Sequence, residues 1–286
     1  MSEPTAAPEW FTRATAAPAE SRFTEVDGTP IHYLSWNAAD TDKPALLFAH
    51  GFRAHARWWS FIAPFFLSRF RIVSMDFAGM GDSGKRREYT PLGFVHDIVG
   101  VLDHAGFDKA TLVGHSFGGG RVARACAEVP ERVARAVIID SHMRLTEEKR
   151  STRPFEIGPR RVYSSYEVAR SRFRLVPPEN RAAPYVLDYV ARHSLKQVEG
   201  GWSWKFDENL IPKHDDAKAP DILGSIKVPV TLVYGDASAI VSRKHAHEIV
   251  RHIPNARGPI AIPESHHHVL LDQPLSLVSA LRAVLY

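Results

Sequence analysis

The residues able to do chemistry gather in three segments. Gly114-His115-Ser116-Phe117-Gly118 fits G-x-S-x-G, with an apolar run at 110–113 before it and helical spacing from Gly119 after it. A corner of this kind holds a serine on a strained strand-to-helix turn, and small residues on either side let the backbones approach. His50-Gly51-Phe52 follows a second apolar run at 45–49. Acyl transfer builds negative charge on a carbonyl oxygen, which a pair of fixed backbone N–H groups stabilises best in a site that excludes water. The amides of Phe52 and Phe117 are the natural pair. Ser265-His266-His267-His268 stands near the carboxyl end, after an apolar run at 259–262. A serine hydroxyl becomes a competent nucleophile when a histidine takes its proton, and that histidine needs an acid to fix its tautomer. Together the three segments predict covalent acyl transfer at Ser116, with the base drawn from the histidine run.

Other readings of these residue types carry less. Three adjacent histidines suggest a metal, but neighbouring side chains diverge and transition-metal ligands converge from separated positions, so no metal is expected. Cys126 is the sole cysteine, which excludes an intramolecular disulfide and thiolate clusters; it reads as a buried packing residue. Residues 79–84, Gly-Met-Gly-Asp-Ser-Gly, fit the dinucleotide fingerprint G-x-G-x-x-G. They follow the fourth strand rather than the first, however, and residues 85–91 delay the next helix, so no pyrophosphate would meet a helix N-terminus there. His245 and His247, two apart on a predicted helix, face different ways.

The elements that must position these residues follow from periodicity. Residues 23–26 and 31–36 flank Asp27-Gly28 and predict an antiparallel hairpin. Apolar runs at 45–49, 71–75, 110–113, 136–139, 230–234 and 259–262 lack polar alternation, as strands buried on both faces do. Helical spacing lies between them: Leu92, Val95, Val99 and Leu102; Val122, Ala125 and Val129; Leu277, Ala280, Leu281 and Val284. Alternating strands and helices predict an α/β class with a mostly parallel sheet. Trp58, Trp59, Phe61, Phe65 and Phe66 read as a helix after the 50–52 segment. The alternation stops between 141 and 225, a stretch rich in Arg and Pro with helical pieces at 166–174 and 184–194 and an extended pair, Trp202 and Trp204. It is too long for a crossover and too apolar for a linker, and is read as an insertion packed on the sheet. The expected organisation is a disordered lead-in at 1–20, a core of 21–140 and 226–286, and a cap insertion at 141–225.

Of the 286 residues, 44% are hydrophobic and 24% charged, the balance of a globular chain rather than a disordered or collagenous one. No apolar run nears the ~18 residues needed to cross a bilayer, and 1–20 lacks a basic start and apolar core, so a cytoplasmic protein without a membrane span is expected. The net charge of +4 does not call for nucleic acid. One local excess stands out: Lys149, Arg150, Arg153, Arg160, Arg161, Arg170, Arg172 and Arg174 face only Glu156 and Glu167. It reads as a solvated face or as a basic rim attracting anionic substrates.

With these motifs in place, the run from 21 to 286 resembles the α/β-hydrolase superfamily in its capped, esterase- or lipase-like branch. The matching segments are His50-Gly51-Phe52, the loop 76–84, the corner at Ser116, and His267 through Asp272-Gln273-Pro274. The resemblance implies a mostly parallel central sheet flanked by helices, with an inserted, mainly helical cap. It implies a base seven residues before Pro274, which is His267, with His266 and His268 one residue away on either side. In most relatives the acid lies three residues past the glycine after the strand that follows the cap. Here that residue is Ser238, which cannot serve. The carboxylates in reach are Asp140, after the strand preceding the cap, and Asp236; Asp140 is preferred. Gly51, His115 and Trp204 are expected in the substrate pocket. The implied function is cofactor-independent hydrolysis of a small to medium ester-like substrate, with lactones and thioesters open to the same triad. A serine nucleophile argues against dehalogenase and epoxide hydrolase chemistry. A different class, a sensor that binds a small molecule on the same fold with little turnover, is favoured only by Ser238 at the acid position.

Overall fold

Asp27 and Gly28 both take positive φ, 49° and 71°, the two-residue geometry whose twist matches a hairpin. They turn β1 (Glu20–Val26) into β2 (Thr29–Trp36) as an antiparallel pair. The computed structural model describes residues 6–145, 161–213 and 219–286. The remaining strands are β3 (Ala45–Ala49), β4 (Arg71–Met75), β5 (Ala110–His115), β6 (Val133–Ile139), β7 (Leu195–Val198), β8 (Gly201–Trp204), β9 (Val230–Gly235) and β10 (Ala256–Ile262). Eight form one sheet in the order β1-β2-β4-β3-β5-β6-β9-β10, while β7 and β8 make a separate hairpin. From β4 to β10 every pairing is parallel. β3, β5 and β9 are buried along their whole length, which is why their sequences show no alternation.

The helices are α1 (Glu9–Thr15), α2 (Pro91–His104), α3 (Phe117–Glu128), α4 (Tyr166–Ser171), α5 (Pro184–His193), α6 (Ala219–Ser225), α7 (Arg243–His252), α8 (Val269–Asp272) and α9 (Pro274–Leu285). Successive side chains of a strand point to opposite faces, so β3 splits its side chains between two cores. Leu47 and Ala49 pack with Ile98 of α2, Val122 of α3 and Ile249 of α7. Leu46 and Phe48 pack with Trp59, Phe61, Val190 of α5 and Leu277 of α9. The chain leaves β3 toward β4 on one side and meets β5 on the other. The carboxyl ends of β3 and β5 therefore flank the switch point, where open α/β sheets bind ligands.

Several expectations need correction. The lead-in at 1–20 carries α1, whose Phe11 is 4% exposed and meets Phe61, Tyr185 and Tyr189 at ring distances of 5.4, 4.9 and 5.7 Å. Three apolar side chains in seven residues, Trp10, Phe11 and Ala14, were too few to show as a period, yet the two aromatics clamp core and cap together. The aromatic segment after residue 52 forms two short 3₁₀ helices, Ala56–Trp59 and Ala63–Phe66, rather than one helix. Of the expected helical positions, Val95 and Leu102 are buried, Val99 is half-buried and Leu92 is exposed, and α2 adds Phe94, Ile98 and Val101 to the buried face. Within 141–225, α6 packs Leu223 into the main core, while α4, α5 and the β7–β8 hairpin lie between core elements as the inserted cap. The cap is joined to the core by β-bridges from Phe206 to Met80 and from Pro212 to Tyr89. Among the described residues no helix is long and apolar enough to cross a membrane.

Candidate active site

Ser116 stands between β5 and α3 with φ 52° and ψ −118°, a conformation that costs an L-residue energy and persists only where its surroundings enforce it. The flanking glycines show why the corner closes. A Cβ on Gly114 would sit 2.5 Å from the Gly118 carbonyl oxygen, and one on Gly118 would sit 2.5 Å from that of His50. The Ser116 N–H donates to the Ile139 carbonyl at 2.8 Å, tying the corner to β6.

The next residue of β6's chain is Asp140, buried completely and also at positive φ, 42°. Its carboxylate receives three donors: the Gly235 N–H on Oδ2 at 2.9 Å, and on Oδ1 the Ser238 hydroxyl at 2.8 Å and His267 Nδ1–H at 2.7 Å. A buried carboxylate is tolerated when hydrogen bonds replace its hydration. The Ser116 hydroxyl donates to His267 Nε2 at 2.9 Å, completing a chain from Ser116 through His267 to Asp140. Asp236 is exposed and, among the described residues, accepts only a long contact from the Ser265 N–H, 3.4 Å. His266 turns to Asp272, which accepts its backbone N–H at 2.8 Å, and His268 Nε2–H donates to the Pro177 carbonyl at 3.0 Å. Of the alternatives left open by sequence, Asp140 and His267 are the ones the fold brings to Ser116.

The 50–52 segment is set by His50. Its Nε2 accepts from the Phe77 N–H at 3.2 Å, and its Nδ1–H donates to the Gly51 carbonyl at 2.6 Å. The Ala54 N–H also donates to that carbonyl, at 3.1 Å. Carbonyl and amide of a trans peptide point to opposite sides, so pinning the Gly51 oxygen aims the Phe52 N–H away from His50. Phe117 is the first residue of α3, and its N–H has no partner within the helix and sits at the positive end of the helix dipole. The two rings lie 5.7 Å apart.

These groups open on a cavity of about 430 Å³ whose lining includes Gly51, His115, Ser116, Trp204 and His267, so the three expected pocket residues all reach it. Its charged lining residues among those described are Arg53, Arg172, Arg174 and Lys205, with no carboxylate. Arg53 lies over the rings of Phe52 and Phe206 at 5.3 and 4.7 Å. Lys205 is paired with Asp82 at 2.7 Å, and Arg170, from the same basic stretch, with Asp188. Lys149, Arg150, Arg153 and Arg160 lie outside the described residues.

Burial holds the cavity's other histidines neutral. Desolvation pushes His268 down to about 4 and His55 to about 3, and takes His115 well below its ordinary value. His55 is fixed by the Ser194 hydroxyl at 2.9 Å. The same cause pushes the Cys126 thiol up to about 12, in keeping with a packing role.

The G-x-G-x-x-G loop is explained by a carboxylate of its own. Asp76 accepts from His32 Nδ1–H at 2.7 Å, the Ala56 N–H at 2.6 Å and the Asp82 N–H at 2.8 Å. Burial raises its pKa, but the His32 bond and charge outweigh it and bring Asp76 to about 2. Gly81, at φ 59°, has no room for a Cβ against that carboxylate.

Residues 44–274 match the family model described as the alpha/beta hydrolase fold. The chain belongs to the α/β-hydrolase superfamily. It is 26% identical over 269 residues to an esterase of Mycobacterium tuberculosis, covering 91% of this chain and 88% of that one. It is 28% identical over 244 residues to a bifunctional esterase/perhydrolase of Acinetobacter calcoaceticus, covering 80% and 87%. A solved structure of a Mycobacterium tuberculosis esterase superposes with a TM-score of 0.78 at 24% identity, over 97% of this chain and 95% of that one. Family and relatives support hydrolase chemistry of the general esterase kind for this α/β hydrolase. Reading the sequence missed three residues around the site: Ser238 as a donor to Asp140, Asp272 as the holder of the histidine loop, and Arg53 against the cavity. Ser238 carried a signal in its place three residues past Gly235, and Asp272 in its place just before Gln273-Pro274.

Proposed function

We propose that this α/β hydrolase cleaves a carboxylic ester, or a chemically similar lactone or thioester, through an acyl-enzyme on Ser116. The observation that carries the reading is the hydrogen-bonded chain of 2.9 and 2.7 Å from Ser116 through His267 to Asp140, opening on a cavity. His267 Nε2 takes the Ser116 proton as Oγ attacks the substrate carbonyl, while Asp140 holds Nδ1–H and stabilises the imidazolium. The amides of Phe52 and Phe117 receive the oxyanion. Collapse breaks the ester C–O bond, and His267 returns the proton to the leaving alcohol. Water then repeats the sequence on the acyl-enzyme, releasing the acid and restoring the serine. The cap at 141–225 selects the substrate, and a volume of about 430 Å³ suits a small to medium one.

The observation behind a non-catalytic sensor, Ser238 at the usual acid position, loses its force because Ser238 hydrogen-bonds to Asp140. The test is rapid-mixing hydrolysis of a chromogenic short-chain ester. A burst of one alcohol per chain, absent in Ser116→Ala, is expected; equal turnover in that variant overturns the reading.

A further inference from the structure

The histidines beside Ser116 form a cluster of which the proposed acyl transfer uses only His267. One ring nitrogen from each of His115, His267 and His268 lies within 4.8 Å of the others, and all three residues are buried. They converge from separate elements: His115 ends β5, and His267 and His268 precede α8. His266, the remaining member of the run, turns away to Asp272.

Their hydrogen bonds determine which nitrogens carry lone pairs. A carbonyl oxygen can only accept, so His115 Nε2 must hold its proton to reach the His267 carbonyl at 2.8 Å, and His268 Nε2 must hold its proton to reach the Pro177 carbonyl at 3.0 Å. The Nδ1 atoms of both rings are therefore bare acceptors, and among the described residues neither has a hydrogen-bond partner. His267 spends its N–H on Asp140 and turns its bare Nε2 toward Ser116. Each ring is thus anchored by one nitrogen and offers the other, the arrangement in which a partner on one ring nitrogen orients the second toward a metal.

We propose that His115, His267 and His268 form an inhibitory site for a borderline-soft transition-metal dication, Zn²⁺ being the prototype. Three neutral imidazoles suit Zn²⁺, Co²⁺, Ni²⁺ or Cu²⁺, whereas Mg²⁺ and Ca²⁺ require oxygen ligands, and the cavity presents no carboxylate among its described lining residues. A metal on His267 Nε2 occupies the lone pair that receives the Ser116 proton, and water or the Ser116 hydroxyl completes the tetrahedron. Arg53, Arg172 and Lys205 on the same cavity oppose a dication, so the site binds reversibly and acts as an off-switch rather than holding a resident cofactor. The inhibitory part rests on the reading of Ser116 as the nucleophile; the binding part does not.

The two parts are tested separately on the full chain. Ser116→Ala protein is titrated with Co²⁺, whose visible absorption reports tetrahedral nitrogen ligation. One equivalent per chain, displaced by Zn²⁺ and weakened at least tenfold by His268→Gln and by His115→Asn, is expected. The absence of a saturable spectrum, or binding that both substitutions leave unchanged, overturns the site. On the native chain, Zn²⁺ is expected to block labelling of Ser116 by a fluorophosphonate, with labelling restored by a chelator. Undiminished labelling in the presence of bound metal overturns the inhibitory role. No labelling even without metal instead refutes the nucleophile reading and leaves the Co²⁺ result standing.

Discussion

Replacing Asp140 with Asn changes one atom and should disable the histidine rather than the fold. In the native protein Oδ2 accepts from Gly235 N–H, while Oδ1 accepts from Ser238 and from His267 Nδ1–H. The Gly235 N–H can only donate, so the asparagine carbonyl must take that side and the amide NH₂ must face His267. An NH₂ group donates to Nδ1, which forces the proton of His267 onto Nε2, where it opposes the Ser116 hydroxyl. A wrong tautomer with intact geometry costs about four decades in kcat in the serine-protease triad, equivalent to about 5 kcal/mol of barrier. Ser238→Ala removes a single hydrogen bond to the carboxylate and leaves the Ile240 and Val241 N–H groups, both on Ser238 Oγ, without that acceptor. A bond to a charged group is worth about 2 kcal/mol, so a loss of roughly thirtyfold is expected. Asp236→Asn, on an exposed carboxylate away from His267, should stay within about threefold of native. Steady-state ester hydrolysis, with thermal melts to confirm folding, measures all three. Asp140→Asn retaining more than a tenth of native kcat while Asp236→Asn loses it would falsify the assignment of the acid.

Three more expectations follow from packing and charge. Phe11→Ala removes a ring that is 4% exposed and wedged between Phe61 and the cap tyrosines, so urea unfolding should show a loss of about 3 kcal/mol; no change would mean that α1 does not hold the cap. Stability should fall with acid in two stages. The depressed pKa values of His55, about 3, and His268, about 4, mean that the unfolded chain binds more protons below the ordinary histidine pKa of about 6.5. Their contribution is complete above that pH and declines toward pH 3 to 4 by roughly 1 kcal/mol per unit for each group. Asp76, at about 2, adds a further loss below about pH 4. Melting temperatures from pH 8 to 3 check this, and a flat profile between 6.5 and 4 contradicts it. The cationic lining of the cavity should favour an ester whose acyl chain ends in a carboxylate over its neutral isostere by about tenfold in kcat/KM. Arg172→Ala should reduce that ratio, and equal rates on the two native substrates would count against it.

The parts legible in the sequence were those set by short-range physics. Two-sided burial leaves strands without polar alternation, so β3 and β4 were readable to the residue, and Asp27-Gly28 announced its own turn. Gly114 and Gly118 marked the serine corner because only glycine fits where two backbones touch. The acid was harder. Asp140 and Asp236 are both aspartates just after strands, and what separates them is the direction of each turn, decided by the positive φ of Asp140 and by donors from Gly235 and Ser238, 95 and 98 residues away. The histidine run posed the same problem, since Asp272 and Pro177 hold His266 and His268 and leave His267 to reach Ser116. Helix α1 was missed because a few aromatics carry no period; its stability comes from tertiary contacts rather than propensity.

Acyl transfer requires an activated serine at 116, and intact-mass analysis after exposure to a small fluorophosphonate measures this without knowledge of the substrate. One adduct on the native chain, absent from Ser116→Ala and strongly slowed in Asp140→Asn, is the predicted result. A well-folded native chain that acquires no adduct, or an adduct that persists in Ser116→Ala, would contradict it.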